Sequence, residues 1–431
     1  MIQSPRAFLE RLYHTAVAAA HPSQCLPPHL PAPPASGRII ILAAGKAAGS
    51  MVEVAERHYL DDVGVPPGRI AGLAVTRRGY ARPTRLIRVV EAGHPVPDAA
   101  GLAATLETLT LADTASSDDL VLVLISGGAS ANWIAPTTDL ALVEKQALTK
   151  SLLACGASIT EINTVRKHLS RIKGGRLAAR AQPARLVAIA ISDVPGDDPA
   201  VIGSGPTVPD PSTLSDARAI VARYHLSVPA VVTHALADPT NESPKSGNPL
   251  FDNTVFILAA RPADVFKSVE AAVRAAGYEC VQLGTALEGE ARLVAAQHAR
   301  IALDLKAQGR RAVILSGGEL TVTVRGKGRG GPNQEYALAL ALALGGEPGI
   351  AGLAADTDGT DGGEGSPDDP AGAYVDHTTL RRARGLSLDP AAFLADNNST
   401  KFFAGVDNLL RPGATHTNVN DFRAIVVDGS R

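Results

Sequence analysis

The sequence predicts an α/β protein organised in two domains, and three observations carry that expectation. The chain has 431 residues, more than one hydrophobic core usually organises. Six short aliphatic runs, RIIILAAGK, LVLVLISGG, LVAIAISD, TVFILAAR, AVILSGGE and IAGLAADTD, each stop abruptly at small or polar residues, as buried strands do. Helical stretches separate many of them, and that alternation layers helices around mostly parallel strands. Ligands of such sheets bind beyond the carboxyl ends of the strands, where the polar residues of this chain cluster. The composition agrees, since 45% of residues are apolar and only 4% aromatic, so the core is aliphatic.

Charge and cysteine usage exclude several function classes. Lys and Arg number 41 against 43 Asp and Glu, for a net charge of -2. With no long basic block, the chain carries no electrostatic footprint for nucleic acid or an anionic membrane. Cys25, Cys155 and Cys280 stand far apart without metal-ligand spacing, which argues against a disulfide frame or structural zinc and for a reducing, cytoplasmic setting. No apolar run approaches the ~18 residues of a membrane span. Phe8, Leu9 and Leu12 among charged neighbours predict a short amphipathic helix rather than a secretion signal. The Pro-rich stretch 21–37 reads as an exposed connector.

The first strand, in ILAAGKAAGSM, runs into Gly45 and Lys46 and then an Ala-rich helix start, whose N–H groups can receive an anion with Lys46 adding a point charge. It is not a Walker A loop, because Ile40 stands where that motif needs Gly and Ala47 where it needs Ser or Thr. A surface lysine on a tight turn is the plain alternative. LVLVLISGG ends in Ser126, Gly127 and Gly128, where missing Cβ atoms let backbone close on a phosphate or carboxylate. The near copy Ser316, Gly317 and Gly318 receives the same reading, with a purely steric role for glycine as the alternative to both.

In EINTVRKHLSRIKGGRLA, helical spacing puts Ile162, Val165, Leu169 and Ile172 on one face and Asn163, Arg166, Lys167, Ser170 and Lys173 on the other. That stripe could grip an anionic substrate, with Arg166 and Lys167 the nearest to the helix start; an ordinary solvated face is the alternative. After LVAIAIS, Asp193 stands where the strand ends, placed to accept a hydroxyl proton or hold magnesium as phosphoryl transfer requires. The turn-rich segment 209–248 marks a boundary, giving expected domains 1–238 and 249–431.

Further on, SGGELTVTVRGKGRGGPNQE contains a formal GxGxxG at Gly326, Gly328 and Gly331. A dinucleotide fingerprint follows a buried parallel strand, whereas ELTVTV alternates like a half-exposed antiparallel one. The segment therefore predicts a phosphate-facing hairpin, with Arg325 and Asn333 as contacts and Glu319 as a metal ligand. AADTDGTDGG offers Asp356, Asp358 and Asp361 on a glycine-rich loop, able to converge on a hard cation or to form a solvated acidic turn.

Taken in chain order, AAGKAAGSM, GHPVPD at 93–98, SGGASA, NTVRKHLSRIKGGRLA, SDVPGDDPAVIGSGPT, GGELTVTVRGKGRGGPNQE and ADTDGTDG resemble the motifs of the class II glycerate kinases, the glycerate 2-kinase family whose C-terminal part is called the MOFRL domain. The resemblance runs nearly end to end. It implies a Rossmann-like α/β/α N-terminal domain, a smaller MOFRL-type domain with a mixed sheet, and Mg2+-assisted phosphoryl transfer from ATP to D-glycerate in an interdomain cleft, giving 2-phosphoglycerate. It supports Lys46 and Arg325 as cations for phosphate or carboxylate, Asp193 at the glycerate hydroxyl or magnesium, and Glu319, Asp356 and Asp358 as metal support. A homodimer is compatible with it. Thr400 stands where a tyrosine is usual and His416 where a glycine is usual; both bear on phosphate contacts of the tail, whose packing from about 396 the sequence leaves open, a return to the first domain being one possibility. Two alternatives stand beside the kinase: an NAD(P)-dependent hydroxypyruvate reductase, motivated by the GxGxxG, and a non-catalytic acid- or nucleotide-binding regulator.

Overall fold

The computed structural model describes residues 4–363, 366 and 368–429. The chain forms two compact units, one from Cys25 to Ala259 and the other joining Met1–Gln24 to Ala260–Arg431.

The Cys25–Ala259 unit is built on strands β1 (Ile39–Ala44), β2 (Ile70–Arg77), β3 (Arg88–Ala92), β4 (Leu120–Ile125), β5 (Arg185–Ile191) and β6 (Thr254–Ala260). Their order across the sheet is β3-β2-β1-β4-β5-β6, and the pairings of β3 with β2, β2 with β1, β1 with β4 and β4 with β5 are parallel. Every residue of β1 and β4 is buried, the continuous apolar run that a sheet covered on both faces demands. Ile40, Leu42, Val121 and Val123 share a core with Ala104, Leu109 and Leu177 of the overlying helices. This is the strand order of a doubly wound α/β sheet, and the winding reverses between β1 and β4. Gly45-Lys46 and Ser126-Gly127-Gly128 therefore leave adjacent strands at the switch point.

Four helices, Leu142–Ala154, Ile159–His168, Leu214–Arg223 and Ala230–Ala237, form a side layer with its own core of Leu148, Leu152, Ile162, Val165, Leu214, Ile220 and Leu236. The boundary expected across 209–248 falls inside this layer. Leu214, Ala217 and Ile220, then Val232 and Leu236, are buried at helical spacing, a pattern hidden in the sequence by the prolines around it. β6, expected in the C-terminal domain, completes the first sheet instead.

The other unit carries β7 (Glu279–Gln282), β8 (Arg311–Gly318), β9 (Ile350–Asp356), β10 (Gly372–Asp376), β11 (Leu409–Leu410) and β12 (Asp421–Asp428) in the order β11-β10-β9-β12-β8-β7. β7 runs parallel to β8, while β8, β12, β9, β10 and β11 pair antiparallel; this is the mixed sheet expected. Ile425 and Val427 pack into the layer of helices Ala291–Ala307 and Pro332–Leu344. Phe422, of opposite parity on β12, meets Tyr13 and Phe266 with ring centroids 6.1 Å away in both cases. Tyr13 belongs to helix Pro5–Ala20, which buries Phe8, Leu9 and Leu12 as its amphipathic pattern predicts. Its hydroxyl donates to the Asp356 carbonyl at 3.0 Å. One expectation is thereby corrected, since the first helix belongs with the C-terminal sheet rather than with a 1–238 domain; within that sheet the tail inserts as β12 between β9 and β8.

Candidate active site

At the switch point the two strand tips lock together. Lys46 N–H donates to the Gly127 carbonyl at 2.8 Å, and Ala47 N–H donates to Ser126 Oγ at 2.9 Å. Gly45 is obligatory here, since with φ +120° a Cβ would lie 2.3 Å from Ser126 Oγ. Gly128 takes φ +84°, and a Cβ on it would meet the His94 ring at 3.0 Å and Lys46 Cγ at 3.3 Å. Lys46, His94 and the bare turn at Gly127-Gly128 thus form one small half-buried surface. Among the described residues, the N–H groups of Gly127 and Gly128 donate to no acceptor, which leaves two amides beside a cation, the makings of an anion cradle. Ser126, expected as a ligand contact, is buried and accepts the Ala47 bond inside the turn. Asp193 follows β5, the neighbour of β4, and is half-buried. His94 was not singled out as a site residue; its only sequence signal is its place in GHPVPD.

The second Ser-Gly-Gly departs from its expected role. Ser316, Gly317 and Gly318 are the last residues of β8 and pair with Arg423, Phe422 and Asp421. Gly317 N–H donates to the Gly284 carbonyl, and Arg423 donates to Ser316 Oγ at 3.3 Å and to the Gly317 carbonyl at 2.6 Å. A Cβ on Gly317 would touch the Phe266 ring at 3.0 Å, and one on Gly318 the Leu287 nitrogen at 2.1 Å. These glycines make room for packing, and their amides serve the sheet.

The hairpin expected from ELTVTV does not form. Beyond Gly318 the backbone makes one isolated bridge, Thr321 to Glu290, and is then held by side chains and by single backbone bonds, Gly328 N–H to the Asp396 carbonyl and Thr400 N–H to the Arg329 carbonyl. Asn397 Oδ1 accepts from the Arg325 and Gly326 amides at 2.7 and 2.9 Å, and Asp396 Oδ1 accepts from Lys327 N–H at 3.0 Å. Gly326, Gly328 and Gly331 lie where a Cβ would strike Asp396, Asn398 and Asp361. No strand precedes them as a dinucleotide fingerprint requires. Arg325 is exposed, and its guanidinium makes no hydrogen bond among the described residues. Asn333 is buried, donating through Nδ2 to Asp421 Oδ1 at 2.6 Å and Asp361 Oδ1 at 3.3 Å; it ties the unit together instead of facing phosphate. Burial drives the Asp361 carboxyl up to about 7, although it accepts from the Asn333 and Gln334 amides. Thr400 Oγ1 donates to Gln334 Oε1 at 2.7 Å. His416 adopts φ +57°, the left-handed backbone that favours glycine at that place.

The cationic stripe is not solvated. Its helix ends at His168, and Asn163, Lys167, Ser170 and Lys173 are buried with the apolar face. Lys167 pairs with Asp210 at 3.2 Å, so its charge is already matched. Arg166 has no carboxylate partner among the described residues. Glu319, Asp356 and Asp358 do not assemble as a three-ligand set: among the described residues no three His, Cys, Asp or Glu side chains gather around a metal position. Asp356 and Asp358 share one turn at the tip of β9, where Asp358 N–H donates to Asp356 Oδ1 at 2.8 Å and the Thr360 amide donates to Asp358 Oδ1 at 2.8 Å. Two carboxylates suit Mg2+, which usually completes its shell with water and substrate phosphates.

Fold and site together define an α/β protein with a doubly wound sheet, a mixed second sheet and a glycine-rich loop beside Lys46 at the first sheet's switch point. Comparison with known proteins places it further. Residues 8–237 match a domain of unknown function (DUF4147) and residues 312–421 match the MOFRL family. A glycerate 2-kinase of Pyrococcus horikoshii is 38% identical, over 92% of this chain and 88% of its own. The crystal structure of glycerate kinase from Thermotoga maritima superposes with a TM-score of 0.85 at 36% identity, covering 98% of this chain and 99% of that one. A protein of Agrobacterium vitis, 44% identical over 98% of this chain and 95% of its own, carries a provisional hydroxypyruvate reductase name. The chain belongs to the class II glycerate kinases, the family with a MOFRL domain.

Proposed function

We propose that the protein transfers the γ-phosphoryl group of ATP to the 2-hydroxyl of D-glycerate, with magnesium, giving 2-phosphoglycerate and ADP. The observation that carries this reading is the switch-point loop, where Lys46 packs against Gly128 beside two glycine amides that donate to no acceptor among the described residues. Phosphoryl transfer asks a protein chiefly for positioning and charge neutralisation, and such a loop supplies both. Lys46 and the Gly127-Gly128 amides take the transferring phosphoryl oxygens. Asp193 accepts the hydroxyl proton as the new O–P bond forms and the bond to ADP breaks. In the other unit, Arg325 is assigned to phosphate, and Asp356 with Asp358 would hold magnesium, whose chemistry is to neutralise charge on the phosphates. Helices long and apolar enough to cross a membrane are absent among the described residues.

Phosphorus NMR of a reaction containing MgATP and D-glycerate tests the reading, since it reports both transfer and the hydroxyl modified. Appearance of 2-phosphoglycerate is the expected result. NADH oxidation with hydroxypyruvate and no ADP formed from glycerate would overturn it.

A further inference from the structure

Behind the switch-point loop, the first unit gathers two buried lysines and a half-buried arginine, two of them on the segment Ser130–Trp133. Lys173 Nζ donates to the Ser130 carbonyl at 2.7 Å, to Ser130 Oγ at 3.1 Å and to the Trp133 carbonyl at 3.0 Å. Arg166 Nη2 donates to the same Ser130 carbonyl and hydroxyl at 3.3 and 3.0 Å. Lys145 Nζ donates to the Leu169 carbonyl at 2.5 Å and the Arg166 carbonyl at 3.3 Å. None of the three meets a carboxylate among the described residues. Burial holds the Lys145 and Lys173 ammonium groups well below their ordinary values, and the positive charge of Arg166 adds to the effect on both. Buried charges are normally paired or neutralised; the lysines can shed a proton, whereas the Arg166 guanidinium stays charged and has no counterion among the described residues.

A cavity of about 270 Å3 opens on this cluster, with Lys145, Arg166 and Gln146 on one side and Pro95, Val96 and Ile134 on the other. It borders the switch-point loop through two connections. Pro95 directly follows His94, whose ring packs where a Gly128 Cβ would stand, and Ser130, which binds Arg166, lies two residues beyond Gly128.

We propose that this cavity receives the carboxylate of the three-carbon hydroxy acid, with Arg166 as the residue that binds it and Lys145 as a supporting hydrogen-bond donor. The proposal rests on the kinase reading and extends it to the acceptor. Its volume lies at the small end of ligand sites, which suits a short acid rather than a nucleoside triphosphate. Arg166 Nε and Nη1 make no hydrogen bond among the described residues, leaving a fork that matches a carboxylate. Lys145 has committed two of its three N–H groups to carbonyls. Lys173, with three protein acceptors, is the positioning residue that fixes Ser130. Anchoring the carboxylate also explains the regiochemistry, because in glycerate the 2-hydroxyl sits on the carbon next to that group and the 3-hydroxyl one carbon further away.

The test pairs calorimetric titration of D-glycerate, inorganic phosphate and ATP with steady-state kinetics of the full chain, wild type against Arg166→Gln, Arg166→Lys and Val96→Phe. Arg166→Gln is expected to raise KM for D-glycerate at least tenfold and leave KM for ATP within twofold, with partial recovery in Arg166→Lys. Val96→Phe narrows the cavity from an exposed wall position and keeps the experiment informative if Arg166→Gln does not fold; it too is expected to weaken D-glycerate binding. Weakened phosphate or ATP binding with unchanged D-glycerate affinity would assign the cavity to phosphate and overturn the proposal, as would unchanged affinities throughout. Turnover with unaltered D-glycerate KM in both variants defeats this proposal alone. Wild-type protein that neither binds nor phosphorylates D-glycerate defeats the kinase reading with it.

Discussion

Lys46 packs against the Gly128 turn and is proposed to bind phosphate there, so its removal should cost rate more than fold. Lys46→Ala is expected to lower kcat by about 100-fold or more, of the order seen when one transition-state donor is lost, with the melting temperature little changed because the side chain is half-buried. Asp193→Asn should lower kcat with little change in KM for ATP if the carboxylate takes the hydroxyl proton; a raised magnesium requirement instead would place it on the metal. Asp361 offers a pH test in the second unit. Its carboxyl, raised by burial to about 7, keeps its proton in the folded protein between about pH 4 and pH 7 while the unfolded chain has lost it. Stability is therefore full below pH 4 as far as this group goes and falls as pH rises through 7, by up to about 4 kcal/mol. Denaturant unfolding of wild type and Asp361→Asn from pH 5 to 8 checks this: the variant should show the flatter profile. That Lys46 and Asp193 stand just past strand ends was legible, because glycine and charge follow an aliphatic run. Lys145 was not, since in VEKQAL it reads as any exposed helical lysine, and only the folded helix layer shows it buried beneath Arg166 and Leu169.

The strands were the most legible elements, because an unbroken aliphatic run that ends at glycine or aspartate has few other ways to be buried. The two Ser-Gly-Gly copies show where such reading stops. Their letters agree, yet the first lies wholly beyond β4, which ends at Ile125, and the second stays paired to β12 through Gly318, a distinction set by a partner strand a hundred residues away. ELTVTV failed for a related reason: its alternation found no partner strand, and the Asp421 carboxylate, the Gly289 carbonyl and the Glu290 carboxylate met its Leu320, Thr321 and Thr323 amides instead. A glycine comparison tests the packing account. Gly318→Ala forces a Cβ to 2.1 Å from Leu287 nitrogen at φ +102° and is expected to destabilise by about 3 kcal/mol or more. Gly64→Ala has φ +78° but open space, and only backbone strain of about 1 kcal/mol is expected. Equal losses by denaturant unfolding would remove the steric explanation.

Across the whole molecule, two α/β cores and the mixed second sheet could be anticipated, but the assignment of the termini could not, because a helix at one end and a strand at the other carry no local mark of the sheet they join. Deleting residues 1–20 is expected to damage the C-terminal unit, exposing Phe266 and Phe422, and to lower its melting temperature while the Cys25–Ala259 sheet keeps its far-ultraviolet signature; limited proteolysis reads which half becomes susceptible. The central place of β12 has a further consequence during synthesis. Emerging from the ribosome, helix Pro5–Ala20 must wait, its greasy face uncovered, while the entire Cys25–Ala259 unit is made and folds ahead of it. β8 and β9 are then both released before the strand that must lie between them. Nascent chains stalled before Asp421 should consequently hold one finished half and one that chaperones still recognise.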